Sequence, residues 1–142
     1  MAIATRTLKD TVVAAGLGTQ GGKVTVIANM NDNTTTDSVI LDASGLSGHA
    51  TGAKLDITRI WWGLVQGTAD DNTGWASIEF VGSSTDTLAI DLAGTGHYDG
   101  TAGKIENNAT NTSATSGDLK LNAYGVSGFV LIELRKDEAF TA

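Results

Sequence analysis

The chain has 142 residues, with 18 glycines, no proline and no cysteine. One domain is the default at this length, and a chain of this size buries about 68–70% of its unfolded surface, enough for a real core. The lack of cysteine excludes disulfides and thiolate metal sites, and a formal charge of −7, with the nine basic residues scattered along the sequence, argues against direct binding of nucleic acid or of an anionic membrane.

Apolar residues make up 41% and charged residues 18%, the latter below the usual ~25%. The polar remainder is mostly Gly, Thr, Ser and Asn, the residues of turns and loops. Without proline, glycine must make nearly all tight turns, and slow X-Pro isomerisation is removed from folding. Residues 1–17 carry no basic-plus-apolar signal segment, and no stretch approaches the roughly 18 apolar residues of a membrane helix. Cysteine-free composition suits assembly in a cytosol.

Residues 3–8 alternate like a strand or arm, Lys9 and Asp10 interrupt them, and residues 11–15 resume the pattern. Gly16, Gly18, Gly21 and Gly22 make a long turn. Residues 23–30 form a clear strand with Val24, Val26, Ala28 and Met30 on one face and Lys23, Thr25 and Asn29 on the other. Residues 31–36 form a polar tip, 39–41 a short buried run, and glycines 45, 48 and 52 punctuate the next loop.

Residues 55–66 are the strongest strand. Leu55, Ile57, Arg59, Trp61 and Val65 share one face; Asp56, Thr58, Ile60, Trp62 and Leu64 share the other. The first face starts apolar and the second becomes so midway. The strand therefore changes sides or is covered on both faces from Ile60 onward, and Gly63 marks a bulge or bend. After a turn over residues 70–74, residues 75–81 form a strand with Ala76, Ile78 and Phe80 inward. Residues 88–92 follow, with Leu88, Ile90 and Leu92 inward. Glycines 94, 96, 100 and 103 bracket a hairpin-like segment around Tyr98, and residues 106–118 read as a long surface loop. Residues 119–123 and 128–135 are the last strands, the final one with Val130, Ile132 and Leu134 inward and Glu133 and Arg135 outward.

Some eight to ten strands at roughly 8–12-residue spacing, with no helical crossover, indicate an all-β fold: an antiparallel β-sandwich, jelly-roll-like, with a short N-terminal arm. Residues 1–10 are the arm or first strand, 11–136 the sandwich and 137–142 a tail.

No catalytic or metal-binding constellation stands out. His49 and His97 lie far apart in sequence, and His97 and Asp99 read as an ordinary loop hydrogen bond. The carboxylate pairs Asp70–Asp71 and Asp37–Asp42 raise glycoside hydrolysis, which needs groups about 5–9.5 Å apart. Asp70, Asp71 and Asn72 raise calcium, without the EF-hand pattern. Turn chemistry is the favoured reading of both sets. Glycosylation triplets begin at Asn33, Asn108 and Asn111, and with no secretory signal they are taken as chance matches; no phosphate-binding glycine loop is present. The aromatics carry more information. Trp61, Trp62, Trp75 and Tyr98 suit sugar stacking or a protein contact, and because neighbouring strand residues face opposite sides, at most one of Trp61 and Trp62 enters the core. The protein contact is favoured.

Four segments carry a family likeness: Ala-Thr-Arg-Thr-Leu-Lys-Asp (4–10), Lys-Leu-Asp-Ile-Thr-Arg-Ile-Trp-Trp (54–62), Leu-Ala-Gly-Thr-Gly-His-Tyr-Asp-Gly (92–100) and Gly-Phe-Val-Leu-Ile-Glu-Leu-Arg-Lys (128–136). In layout the chain resembles the small decoration, cement or auxiliary capsid proteins of tailed bacteriophages. The resemblance implies a non-enzymatic, cofactor-free virion protein with a β-sandwich or jelly-roll body. Such a protein sits on the capsid exterior as a dimer or trimer and bridges subunits of the major capsid protein. Its expected partners are that protein and itself, with no nucleic acid and no membrane. The interface candidates are Ile3, Arg6, Leu8 and Lys9 of the arm, together with Trp61, Trp62, Trp75, Tyr98 and Phe140. The arm is suited to adding a strand to a neighbour's sheet edge. The alternative function is a glycan-binding or host-attachment module of a head fibre, neck or tail. A hydrolase ranks last, since it needs two acidic side chains converging in a cleft.

Overall fold

The structure, a computed structural model, describes residues 3–12, 22–31, 37–50, 52–66, 74–110, 117–137 and 140. Among these the chain forms β1 (Ala4–Asp10), β2 (Lys23–Met30), β3 (Ser38–Leu41), β4 (Leu55–Gln66), β5 (Trp75–Phe80), β6 (Thr87–Leu92), β7 (Thr95–Tyr98), β8 (Leu119–Tyr124) and β9 (Val126–Lys136), with one 3-10 turn at Ala43–Gly45. One sheet has the order β1-β2-β9-β4-β7 and the other β3-β8-β5-β6. Every pairing is antiparallel, and the two sheets pack as a β-sandwich. The expected tip at 32–36, most of the glycine turn and the Asp70, Asp71 and Asn72 cluster lie outside the described residues.

The connectivity is nested. β5 pairs with β6, β4 with β7, β3 with β8 and β2 with β9, so the chain is one long antiparallel ladder folded over on itself. Successive rungs fall in alternate sheets, and the β4–β9 and β5–β8 pairings join them.

Alternation decides most faces. Val24, Val26, Ala28 and Met30 of β2, Val130, Ile132 and Leu134 of β9, and Ala76, Ile78 and Phe80 of β5 all point into the core, as their period-2 spacing requires. Leu119, Leu121 and Ala123 of β8, cross-strand partners of the β5 set, face the β2 and β9 residues from the other sheet.

Among the described residues four β-bulges set the faces that alternation misses. In β3 the extra residue is Ile40, so Ile40 and Leu41 are both buried while Val39, expected in a buried run, is exposed. In β4 the register slips between Ile57 and Arg59, leaving Thr58 unpaired in the ladder; its hydroxyl donates to the Glu133 carbonyl at 3.1 Å. Leu55 and Ile57 are buried before the slip, and Ile60 and Leu64 after it. The strand does change sides, at Thr58 and not at Gly63. Gly63 instead lies under the Phe129 ring, where a Cβ would come within 3.0 Å of Cε1. In β6 the extra residue is Ala89, so Leu88 pairs with Glu79 on the outer face and is 57% exposed, against the inward expectation. In β1 the slip falls at Leu8 and the strand runs on through Lys9 and Asp10, which do not interrupt it. A further exception is Gly128. Its φ of 135° is open only to glycine in practice, and a Cβ there would sit 1.8 Å from the Gly63 carbonyl oxygen.

Two expected surface segments are tied down. Asn107 and Ala109 of the long loop are buried; the Asn107 N–H donates to Asp56 at 3.0 Å, and Lys54 Nζ donates to the Ala109 carbonyl at 2.8 Å. Phe140 of the tail is buried in the core and so is not an interface residue. It packs edge-on against His49 and beneath the Lys136 ammonium. Lys136 is 1% exposed; its Nζ donates to Asp10 Oδ1 at 2.5 Å and to the Ser47 carbonyl at 2.7 Å. The other Asp10 oxygen accepts the Ser47 N–H at 2.9 Å. Burial pushes the Asp10 carboxyl up, but the hydrogen bonds from Lys136 and Ser47 outweigh it and hold it below the ordinary value.

Asp118 is the opposite case. It is 6% exposed and accepts the Ala43 N–H at 2.8 Å. Burial, with Asp42 adding, raises its pKa to about 6 against the Ala43 bond and the nearby His49.

Two outcomes are expected. Asp10→Ala strands a buried ammonium with one carbonyl partner and should lower stability by about 3 kcal/mol in urea unfolding at pH 7. Lys136→Met should cost less, because the freed Asp10 carboxylate is partly solvated. Native Asp118 takes up its proton near pH 6, and the unfolded chain only near 3.8. Its contribution to stability is therefore best below the unfolded value and declines as pH rises towards 6. Asp118→Asn should stabilise by about 2 kcal/mol at pH 7.5 and change little at pH 4, compared as urea midpoints.

Candidate interaction surface

The two outer faces of the sandwich differ. On the four-stranded sheet one cross-strand row reads Val39–Lys120–Glu79–Leu88 and the next Asn122–Ser77–Asp91. Val39 and Leu88 are exposed at the two ends of the first row, and between them polar groups are hydrogen-bonded: Lys120 Nζ donates to Asp86 at 2.7 Å and to Asp37 at 3.3 Å, and the Asn122 amide donates to Glu79 at 3.0 Å. The Lys120 bond, helped by the Gly82 N–H, holds Asp86 below the usual carboxylate range against its partial burial.

The outer face of the five-stranded sheet is apolar at its centre. Its middle row reads Arg6–Ile27–Leu131–Trp61–His97 across all five strands. The row beside it reads Ala4–Asn29–Phe129–Gly63–Thr95, and Val65, 66% exposed, lies beyond. A third row on the other side reads Lys9–Thr25–Glu133–Arg59, followed by Lys23 paired with Arg135. Apolar residues on both parities of β9 and β4 are what build this face: one set fills the core and the other lines the outside.

The face gathers Arg6, Lys9 and Trp61 from the interface candidates. Trp62 lies on the opposite side of β4 and packs against the core, its indole N–H donating to the Ala93 carbonyl at 2.9 Å. Its ring occupies the space a Cβ would need at Gly96, 2.7 Å from Cζ2. Only one of the two adjacent tryptophans thus enters the core. Ile3 also packs on the core, and Leu8 is exposed at its bulge. Trp75 is 44% exposed beside a cleft of about 70 Å³ lined by Val65, Leu92 and Gly94. The half-buried Tyr98 donates its hydroxyl to the Gly103 carbonyl. β1 is paired with β2, so the arm already serves as an edge strand of its own sheet, with no second strand partner among the described residues.

Ile27, Leu131, Phe129, Val65 and the cations Lys23, Arg59 and Arg135 were not among the candidates. The apolar members were signalled by their outward parity in strands whose inward parity is also apolar. The cations look scattered in sequence, and the fold overturns that reading: Arg6, Lys9, Lys23, Arg59 and Arg135 share one face and make no salt bridge among the described residues. The other four are engaged elsewhere: Lys54 by Ala109, Lys104 by Asp56 at 2.8 Å, Lys120 by Asp37 and Asp86, and Lys136 by Asp10.

The remaining chemical candidates resolve into turn and surface roles. Asp42 caps the 3-10 turn, accepting the Ser44 N–H at 3.1 Å and its hydroxyl at 2.6 Å, while Asp37 pairs with Lys120. Asp99 accepts the Thr101 N–H at 2.9 Å, and bonding to Thr101 keeps its carboxyl below the usual value. Among the described residues no three His, Cys, Asp or Glu side chains are placed to share a metal ion, and no helix is long and apolar enough to cross a membrane. No family model matches the chain, and no curated protein or solved structure is detectably similar to it.

Proposed function

We propose that this chain is a non-enzymatic structural protein that docks onto an assembled protein shell through the outer face of its five-stranded sheet, as a decoration protein on the capsid exterior of a tailed phage. The observation that carries this reading is the continuous, half-buried apolar row Ile27–Leu131–Trp61, widened by Phe129 and Val65, on a face whose counterpart across the sandwich has a hydrogen-bonded polar centre and carries its exposed apolar side chains, Val39, Trp75 and Leu88, only at its margins. Apolar surface returned from water contributes roughly 25 cal/mol per Å², and contiguous exposed patches mark partner contacts. Many symmetric copies multiply a modest contact into firm attachment.

The family likeness of the four segments supports the same reading, as does the strand order. The nested rungs β2–β9, β3–β8, β4–β7 and β5–β6 support reading the body as an eight-stranded jelly roll with β1 added at one edge, an architecture used by viral capsid proteins. The major capsid protein is the proposed partner, with the chain itself as a dimer or trimer.

One observation favours a second reading. Trp75 stands exposed beside a shallow cleft, the geometry of a sugar-stacking platform. On that reading glycan-array binding disappears in Trp75→Ala.

The deciding experiment is cosedimentation with phage heads assembled without this chain. Wild-type protein should pellet with heads and raise their melting temperature. Trp61→Ala and Phe129→Ala should each weaken binding by about 1–3 kcal/mol, whereas Leu88→Ala on the opposite face should leave it unchanged. A monomer without affinity for heads overturns the proposal.

A further inference from the structure

The third row of the docking face has an unusual origin. Lys9 and Arg59 each stand directly after a β-bulge, at Leu8 in β1 and at Thr58 in β4. Without the second slip, strict alternation would turn Arg59 to the side of Leu55 and Ile57, into the core. Without the first, Leu8 would hold the outward place that Lys9 takes. Two separate irregularities therefore deliver two cations to the two ends of one row, Lys9–Thr25–Glu133–Arg59. Bulges that re-aim side chains are characteristic of functional surfaces. Lys23 and Arg135, facing each other on the two middle strands, add a second pair of cations beside that row.

These side chains border a cleft of about 570 Å³ over the sheet, whose floor includes Thr25 and Thr58. That volume falls in the range of binding clefts, roughly 300–1,000 Å³. Four cations against the single carboxylate of Glu133 leave the cleft at +3, in a chain whose total is −7. The rest of the chain then carries −10, since −7 minus +3 is −10.

We propose that this cleft recognises an acidic polypeptide segment, a proposal that rests on the docking reading and names the chemistry of the partner. Complementary charge selects the ligand class. Arg59 and Arg135 offer paired N–H donors that match a carboxylate, and Lys9 and Lys23 supply compact charges at the margin. The ends of the row lie three strands apart, about 14 Å at the usual strand spacing. An extended segment presents side chains on one face about every 7 Å, so carboxylates on alternate residues can meet cations on either side of Glu133. Nucleic acid fits less well. A polyanion running past the cleft would meet the surrounding negative surface, whereas a short acidic segment stays within the roughly 8–10 Å over which the basic patch is felt.

The test is fluorescence anisotropy with a labelled short poly-glutamate peptide at low ionic strength, alongside the cosedimentation assay with heads. Wild-type protein should bind the peptide, and binding should weaken as salt is raised. The double charge reversal Lys9→Glu/Arg59→Glu should reduce affinity at least about tenfold, the milder Arg59→Gln should reduce it by less, and Asp91→Asn on the opposite face should have no effect. Arg59→Gln keeps the test decisive if the double variant fails to fold. Absence of peptide binding, binding unchanged in both cleft variants, or tighter binding of an oligonucleotide of equal length overturns the assignment. If heads bind wild-type protein and the charge-reversed variant equally well, acid recognition is overturned and docking stands. If the peptide binds in a cleft-dependent way and heads do not, the cleft assignment stands and capsid docking is overturned.

Discussion

The buried ammonium of Lys136 is the constraint around which much of this sandwich is organised. A charge so fully removed from water persists only when it is paired and hydrogen-bonded. Two of its partners come from distant parts of the chain, Asp10 at the end of β1 and Ser47 after the 3-10 turn, and the ring of Phe140 just beyond β9 completes the site. Three segments that alternation alone would leave free are pinned by one group. The edge strand, the loop after β3 and the stretch after β9 gain their positions together, so this end of the sandwich is specified more by polar chemistry than by apolar area.

The second organising device is the bulge. A sheet with strict alternation has one fixed face per strand, and β4 could then serve the core along only half its length. The slip at Thr58 lets Leu55 and Ile57 fill one end of the core and Ile60 and Leu64 the other. The outward residues after the slip, Arg59, Trp61 and Val65, become part of the outer face of the five-stranded sheet. Core packing and the make-up of that outer face are thus coupled through a single inserted residue.

Legibility from sequence followed the same division. β2, β5 and β9 were readable because each carries a clean period-2 apolar set with polar or small residues between. The full span of β4, and its change of side, were readable because its apolar set switches parity at Ile60. The site of the switch was not, since a bulge has no side-chain signature beyond the mismatch it resolves, and Gly63 was the more obvious suspect. Leu88 misled for the same reason, because the extra residue at Ala89 turned it outward. The roles of Lys136, Asn107 and Phe140 were invisible, as each depends on a partner tens of residues away. The basic corner was hidden because its members lie on four strands that only the ladder brings side by side.

The nested ladder also governs the order in which the chain can organise itself. β5 and β6 are close in sequence and can pair early, but β2 must wait for β9, and the Lys136–Asp10 bond joins residues 126 positions apart. Non-local pairings of this kind make folding slow, because loop closure must precede the contacts that reward it. Until β9 arrives, β2 presents an open edge with one apolar side, a template for pairing with another chain. The same edge that β9 completes in the native sandwich is therefore the place where an unfinished chain is most open to association.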